Sequence, residues 1–373
     1  MTKRKRRVLI VTPTFTNPPS QGNSARILAF GRELKARGVT VDVLYYVLDQ
    51  FNQEIEAQMR AEWAELHLVS AQPHSQQKFP ACWGLDDWCP PMLVKAVGDL
   101  CRKTAYDAVI TNYVWLSACL EEVRGPLKIL DTHDLFGGRH QLSLSVGMEP
   151  SWFFTTEREE ARGFDRADLV VGIQFDESAH IAEQTRAKVI TVGHPVEPHF
   201  LFQEDAERKS ATFGYFASGN PWNVASIAAF DEKLATKTTH LDWAIGGSIC
   251  KALPRLAGHP KVLGLVSDPW DFYQQVDCAL NPMMSGTGLK IKTVEALAYG
   301  RAVIGTDHAF KGFHTEHWAH KLTGPAEVAD AAFEYQSSNS LREELYAFSR
   351  KIFGRYMIDV NKSYDELYKL IVS

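Results

Sequence analysis

At 373 residues the chain is too long for one ordinary hydrophobic core and fits two domains of common size. Hydrophobic residues make up 45% and charged residues 23%, the balance of a soluble globular protein, and a net charge of −5 supplies no basic field for nucleic acid. No run of ~18 consecutive apolar residues is present, so no membrane-spanning helix is expected.

The chain opens on a basic cluster, Lys3-Arg4-Lys5-Arg6-Arg7. It reads either as a solvated, frayed terminus or as a peripheral contact with anionic lipid at the inner face of a membrane. No apolar h-region follows it, so no secretory signal is read here. The six cysteines, Cys82, Cys89, Cys101, Cys119, Cys250 and Cys278, contain no C-x-x-C pair and suggest neither a disulfide framework nor a zinc site. A reducing cytoplasm is the expected compartment.

In chain order, Val8–Val11 predicts a buried strand. Ser24–Arg37 predicts a helix with Ile27, Phe30 and Leu34 on one side and Gly38 as its stop. Further strands are expected at Val39–Tyr46, Leu66–Val69, Ala108–Thr111, Leu127–Asp131, Leu169–Ile173 and Lys188–Val192, with helical stretches between most of them. The rhythm pauses over 196–210, where prolines and the polar run Gln203–Ser210 predict a linker. It restarts with strands at Thr212–Phe216, Leu241–Ile245, Lys261–Leu265, Cys278–Pro282 and Ala302–Thr306. From Glu327 onward the pattern is helical, ending in Val360–Ile371. This alternation predicts α/β architecture: two Rossmann-like, doubly wound domains, 1–195 and 211–355, then a C-terminal helix, 356–373, that returns toward the first domain. Ligands of such sheets bind beyond the carboxyl ends of the strands.

The densest chemical signal is Gly286-Thr-Gly-Leu-Lys-Ile-Lys-Thr-Val-Glu-Ala-Leu-Ala-Tyr-Gly300, then Arg301-Ala-Val-Ile-Gly-Thr306. It reads as glycine turn, helix, glycine stop and strand. Gly286 and Gly288 allow close approach of backbone to a ligand. The helix N-terminus offers N–H groups and a positive dipole end that suit a diphosphate. Lys292 and Glu295 share a helix face, either as a solvated ion pair or as a phosphate-binding cation beside a carboxylate that accepts from ribose hydroxyls.

This segment resembles the C-terminal donor motif of family-four glycosyltransferases of the GT-B fold. The resemblance implies two domains facing across a cleft, and a retaining transfer of sugar from a nucleoside diphosphate sugar to a carbohydrate, lipid-linked or protein acceptor. It implies no cofactor beyond the donor and no metal. Glu295 matches the glutamate that binds the nucleotide ribose. Thr287 stands where many members carry a second glutamate, and Leu289, Lys290 and Lys292 complete a Gly-Thr-Gly-x-Lys-x-Lys variant.

Pro18-Pro19-Ser20-Gln21-Gly22-Asn23-Ser24-Ala25-Arg26 resembles the family's first glycine loop. Gly22 would lie beside the diphosphate, with Asn23 or Ser24 as helix cap. Thr132-His133-Asp134 resembles the histidine motif whose imidazole reaches the donor sugar or its departing phosphate. His133 is expected to donate one hydrogen bond there, oriented by Asp131 or Asp134. Gly214–Asn223 resembles the first turn of the nucleotide domain, with Ser218 and Gly219 on the phosphate side but none of the cations that relatives carry in that region. Lys290 and Lys292 are the candidates to replace them. Val262–Asp268 resembles the strand and loop that hold the base near Val266.

The same residues leave open a sugar-nucleotide epimerase of the same fold and a non-catalytic nucleotide-binding relative. His314, His317 and His320 read as a surface cluster, Trp152-Phe153-Phe154 as aromatics opening a helix, and Arg139 as an acceptor-side candidate.

Overall fold

The computed structural model describes residues 5–19, 21–48, 51–71, 77–145, 147–201, 211–266 and 268–373. The chain divides into two units, Met1–Pro195 with Val360–Ser373, and Val196–Asp359.

The first unit holds seven parallel strands: β1 (Arg7–Thr12), β2 (Thr40–Val47), β3 (Glu65–Ser70), β4 (Ala108–Asn112), β5 (Leu127–Asp131), β6 (Leu169–Gly172) and β7 (Lys188–Thr191). Their order is β3-β2-β1-β4-β5-β6-β7. Its helices are α1 (Gly22–Ala36), α2 (Gln53–Glu62), α3 (Pro91–Lys103), α4 (Arg139–Ser145), α5 (Glu157–Phe164) and α6 (Phe175–Gln184). The central strands β1 and β2 are near-continuous runs of buried residues, as strands covered on both faces must be. On α1 the stripe Ile27, Phe30 and Leu34 is buried, and Gly38 ends the helix at φ 82°.

The second unit holds β8 (Phe213–Phe216), α7 (Pro221–Leu234), β9 (Trp243–Gly246), β10 (Lys261–Gly264), α8 (Pro269–Tyr273), β11 (Cys278–Asn281), α9 (Ile291–Ala298), β12 (Ala302–Gly305) and α10 (Pro325–Ser337). Its parallel sheet runs β10-β9-β8-β11-β12. Asn220 and Asp268 cap α7 and α8 through their side chains, and proline occupies the first turn of α7, α8 and α10, where its missing N–H costs nothing.

Both sheets reverse direction once, between β1 and β4 and between β8 and β11. Connections leave in opposite senses on either side of such a point, so a crevice opens beyond the strand ends. Those two places position the candidate site residues.

Several expectations change in detail. The predicted C-terminal helix is the last part of one 34-residue helix, α11 (Asn339–Val372), whose residues are shared between the units. Within the first unit Tyr364 packs edge-on against Phe30, and Glu366 pairs with Lys188. Residues 202–210 of the expected linker lie outside the described residues. Its start is docked on the second unit, where the N–H groups of His199 and Leu201 donate to the carbonyls of Ala298 and Tyr299.

The basic cluster is not wholly free either. Arg6 pairs with Asp107, and Arg7 grips Asp42 with two nitrogens. Lys3 and Arg4 lie outside the described residues. His317 and His320 are buried and not on the surface: His320 stacks on Phe310 at 4.0 Å, and His317 Nδ1 accepts from Ala319 N. Phe153 is core, and the charged helix begins only at Glu157, after Trp152 turns the chain at φ 65°.

Candidate functional site

In the first unit, polar residues gather where β1, β4 and β5 end. Arg26 of α1 is fully buried. It donates to the carbonyl of Gly193 at 2.8 Å and to Asp131 Oδ1, at the end of β5, at 3.0 Å. Two residues on, His133 takes a left-handed backbone, φ 61°, which a side chain larger than glycine adopts only when its surroundings impose it. Its ring stacks on Tyr113 at 4.3 Å, and Tyr113 is itself left-handed at φ 71°.

His133 Nε2 lies 2.8 Å from Asn112 Oδ1 and 3.6 Å from Asp131 Oδ2. Thus Asn112 orients the ring, and neither Asp131 nor Asp134 does so by hydrogen bonding. Burial lowers the imidazole pKa, with Asp131 and Asp134 opposing that shift and Arg26 reinforcing it. Next to it, burial drives His194 down to about 3, helped by Arg26 and His133. Both rings are therefore neutral at physiological pH.

The turn after His133 is held by Glu160, whose carboxylate accepts from the N–H groups of Phe136 at 2.6 Å and Gly137 at 2.8 Å. A Cβ at Gly137 would sit 2.6 Å from that carboxylate, so glycine is required there. Burial raises Glu160 to about 7 against those two bonds. Arg139 lies 3.8 Å from Asp134 and over the ring of Phe136. Gly22 opens α1 with no strained φ. The cap is Gln21, not Asn23 or Ser24: Ser24 Oγ accepts from Gln21 N at 3.0 Å and donates to Gln21 O at 2.8 Å.

In the second unit the loop after β11 carries Gly286 at φ 112° and Gly288 at φ 75°, conformations that a Cβ would strain. Lys290 is turned inward. Its Nζ donates to the carbonyls of Gly286 at 3.3 Å and of Thr287 and Gly288 at 2.9 Å, closing the loop around its own ammonium. Leu289 is buried, and the hydroxyl of Thr287 is buried without a partner among the described residues. Thr306 ties this loop to β12 by donating to Met283 O at 2.6 Å.

Lys292 points from α9 to Tyr215 OH at 3.2 Å and to Asn223 Oδ1, over the Tyr215 ring. Asn223 in turn donates to Ser218 O and Oγ, at 3.0 and 3.2 Å, so Lys292, Asn223 and Ser218 form one chain. Gly219 N donates to Ser248 Oγ. The loop after β8 lacks a cation of its own, and an ammonium from α9 reaches its base instead.

The Glu295 carboxylate makes no hydrogen bond among the described residues, and no ion pair joins it to Lys292. The solvated pair is therefore not what forms. Burial raises Glu295 to about 7, partly countered by Lys292; burial and the charge of Lys290 lower Lys292 to about 7. Val266 follows β10, the edge strand, three strand spacings or roughly 14 Å from β11. It shares the strand-end side of the sheet with the glycine loop, and among the described residues no hydrogen bond joins the two.

Sequence reasoning missed Arg26, Asn112, Glu160, His194 and Asn223 as members of these clusters. Only Asn223 carried a local signal, three residues after the cap of α7. Among the described residues no group of three or more His, Cys, Asp or Glu could hold a metal ion, and no helix is long and apolar enough to cross a membrane.

Two parallel doubly wound units, each with polar groups collected at its switch point, define the class: this is a GT-B fold. Residues 224–334 match the family described as glycosyl transferases group 1, which places the signature of that family in the second unit. Anabaena HepE in complex with UDP superimposes with a TM-score of 0.69 at 12% identity, covering 98% of this chain and 99% of that one. Sucrose-phosphate synthase from Thermosynechococcus elongatus gives 0.70 at 12% identity over 98% and 99%. A variant of S. aureus TarM in complex with fondaparinux, alpha-GlcNAc-glycerol and UDP gives 0.72 at 10% identity over 99% and 100%. No curated protein matches the chain in sequence.

Proposed function

We propose that the protein is a retaining glycosyltransferase that moves a sugar from a nucleoside diphosphate sugar to a glycan, lipid-linked or protein acceptor. The observation that carries this reading is Glu295. Glu295 is half-buried and its carboxylate makes no hydrogen bond among the described residues, so it can accept from donors that a ligand supplies. The two hydroxyls of a nucleotide ribose are such donors. The adjoining Gly286–Lys290 loop and the start of α9 offer the diphosphate backbone N–H groups and a positive dipole end.

In this reading Lys290 shapes the phosphate loop, Lys292 supplies positive charge beneath it, and Ser218 and Gly219 border the phosphates. Val266 lies on the base side, with Thr287 and Leu289 in the loop wall. In the first unit, the start of α1 at Gly22 and the imidazole of His133 are the proposed donor contacts. Charge on the departing diphosphate is stabilised by preorganised donors and needs no metal. That UDP occupies HepE and TarM makes a uridine nucleotide the first donor to try. Peripheral contact with anionic membrane through the basic terminus now rests on Lys3, Arg4 and Lys5, because Arg6 and Arg7 are engaged within the fold.

A thermal-shift screen of nucleoside diphosphates and their sugars tests the reading, since a ligand that binds only the native state raises its melting temperature. One nucleotide series should stabilise the protein. Its sugar form should then be consumed only when acceptor is added, with the anomeric configuration kept and with chelator present. Epimerisation without acceptor, or binding without turnover, would overturn the proposal.

A further inference from the structure

We propose that Asn112 is a positioning residue that holds His133 as its Nε2–H tautomer, so that Nδ1 meets the substrate as a hydrogen-bond acceptor for a hydroxyl group. The identity of that substrate rests on the transferase reading above; the tautomer does not.

The assignment follows from the atoms around Asn112. Its Nδ2 lies 2.9 Å from the carbonyl oxygen of Val11, which can only accept, so the amide nitrogen must face β1. The other end, Oδ1, then faces His133 Nε2 at 2.8 Å and can only accept as well. The ring nitrogen there must carry the proton. Asp131 Oδ2, 3.6 Å from the same nitrogen, favours the proton at that position too. A neutral imidazole has one N–H, and it is already given to Asn112. Nδ1 therefore holds a lone pair, and it has no hydrogen-bond partner among the described residues.

The ring is also fixed in angle. Tyr113 and His133 end adjacent strands in left-handed conformations, their rings lie within 20° of parallel, and Tyr113 N donates to Asp131 O at 2.9 Å. Sparsely populated backbone conformations of this kind persist where the surroundings over-determine them.

The consequence is a choice of substrate group. An imidazole lone pair repels a phosphate oxygen and accepts from an O–H. His133 therefore reads a hydroxyl of the substrate, not the departing diphosphate. This departs from the expectation, drawn from the motif, that the histidine donates.

Long-range proton–nitrogen spectra of the imidazoles in uniformly 15N-labelled protein at pH 8 read the tautomer directly. His133 is assigned among the 13 histidines by the signal lost in His133→Gln. Wild-type protein should show the proton on Nε2 and a bare Nδ1. Asn112→Ala should give a mixture of tautomers and lower kcat/KM about tenfold or more, with nucleoside diphosphate affinity unchanged. Asn112→Asp keeps an acceptor in place. It should retain the Nε2 proton, raise the imidazole pKa and move the acid limb of the kcat/KM profile upward.

A wild-type proton on Nδ1, or an unaltered tautomer in Asn112→Ala, overturns the proposal. Should Asn112→Ala not fold, the wild-type spectrum and Asn112→Asp decide it. No step of the spectroscopy needs turnover. Loss of the transferase reading would show separately, as absence of nucleoside diphosphate binding to wild-type protein.

Discussion

The polar centre of the first unit is held together by its own residues, with Asp131 Oδ2 buried and without a hydrogen bond among the described residues. Arg26 neutralises Asp131, Asn112 satisfies one nitrogen of His133, and Glu160 satisfies two backbone N–H groups of the turn beyond. In the second unit the Glu295 carboxylate has no hydrogen bond among the described residues, the Thr287 hydroxyl has none, and Lys292 is held in a desolvated position that depresses its pKa. One centre is preorganised by its own fold, and within it His133 Nδ1 and Asp131 Oδ2 make no hydrogen bond among the described residues. The other keeps unmet hydrogen-bonding capacity beside a glycine turn. The first arrangement suits orientation of a reacting group, and the second suits capture of a polar, charged ligand whose groups complete the site.

This contrast predicts different responses to mutation. In the first unit the largest effect should be on stability. Arg26→Ala strands the Asp131 carboxylate in the interior and should cost about 3–5 kcal/mol, read from urea unfolding. A loss below about 1 kcal/mol would mean that the centre is less closed than described.

In the second unit the larger effect should be on turnover. Lys292→Ala should lower it by a factor of about 100, as loss of one preorganised donor does, while the fold survives because an uncomfortable charge is removed. Lys290→Ala should disorder the loop that closes on it and weaken nucleotide binding as well as turnover. Equal, small effects of both lysines would place the phosphate-binding cations elsewhere in the chain.

A smaller and more diagnostic effect concerns pH. Glu295 is raised in the native state, so its favourable contribution is full below the ordinary carboxylate range, near pH 4, and is lost as pH rises through about 7. Lys292 is lowered, so the native state binds fewer protons than the unfolded chain, and stability recovers as pH climbs from about 7 toward its ordinary value. Glu295→Gln should therefore stabilise the ligand-free protein by about 1–2 kcal/mol at pH 8 and hardly at all at pH 4, after discounting for partial exposure. Denaturation curves at the two pH values check this.

Much of the scaffold was legible before the structure. Strands such as Val8–Val11 and Ala302–Thr306 are buried on both faces and announce themselves as apolar runs. The Gly286–Gly300 turn and helix carry their own local punctuation. The partners that define the chemistry were not legible, because they meet only at strand ends. Asn112 reaches His133 across 21 residues, Glu160 reaches Phe136 across 24, and Arg26 reaches Asp131 across 105. No local periodicity encodes those meetings. Lys290 shows a different limit: its spacing does not encode the three carbonyls of its own loop that accept from its ammonium. The histidines near residue 317 show the same limit, since a spacing of three described neither the stack on Phe310 nor the burial.

The central proposal is that Glu295 accepts hydrogen bonds from a nucleotide ribose, and calorimetry tests it most directly. UDP, GDP, ADP and dTDP would each be titrated into wild-type protein and into Glu295→Ala. The account predicts that at least one binds wild-type protein and binds the folded variant more weakly by about 1–3 kcal/mol, the worth of hydrogen bonds to a charged group. Equal affinity for the two proteins, or no binding of any nucleotide to wild-type protein, would contradict it.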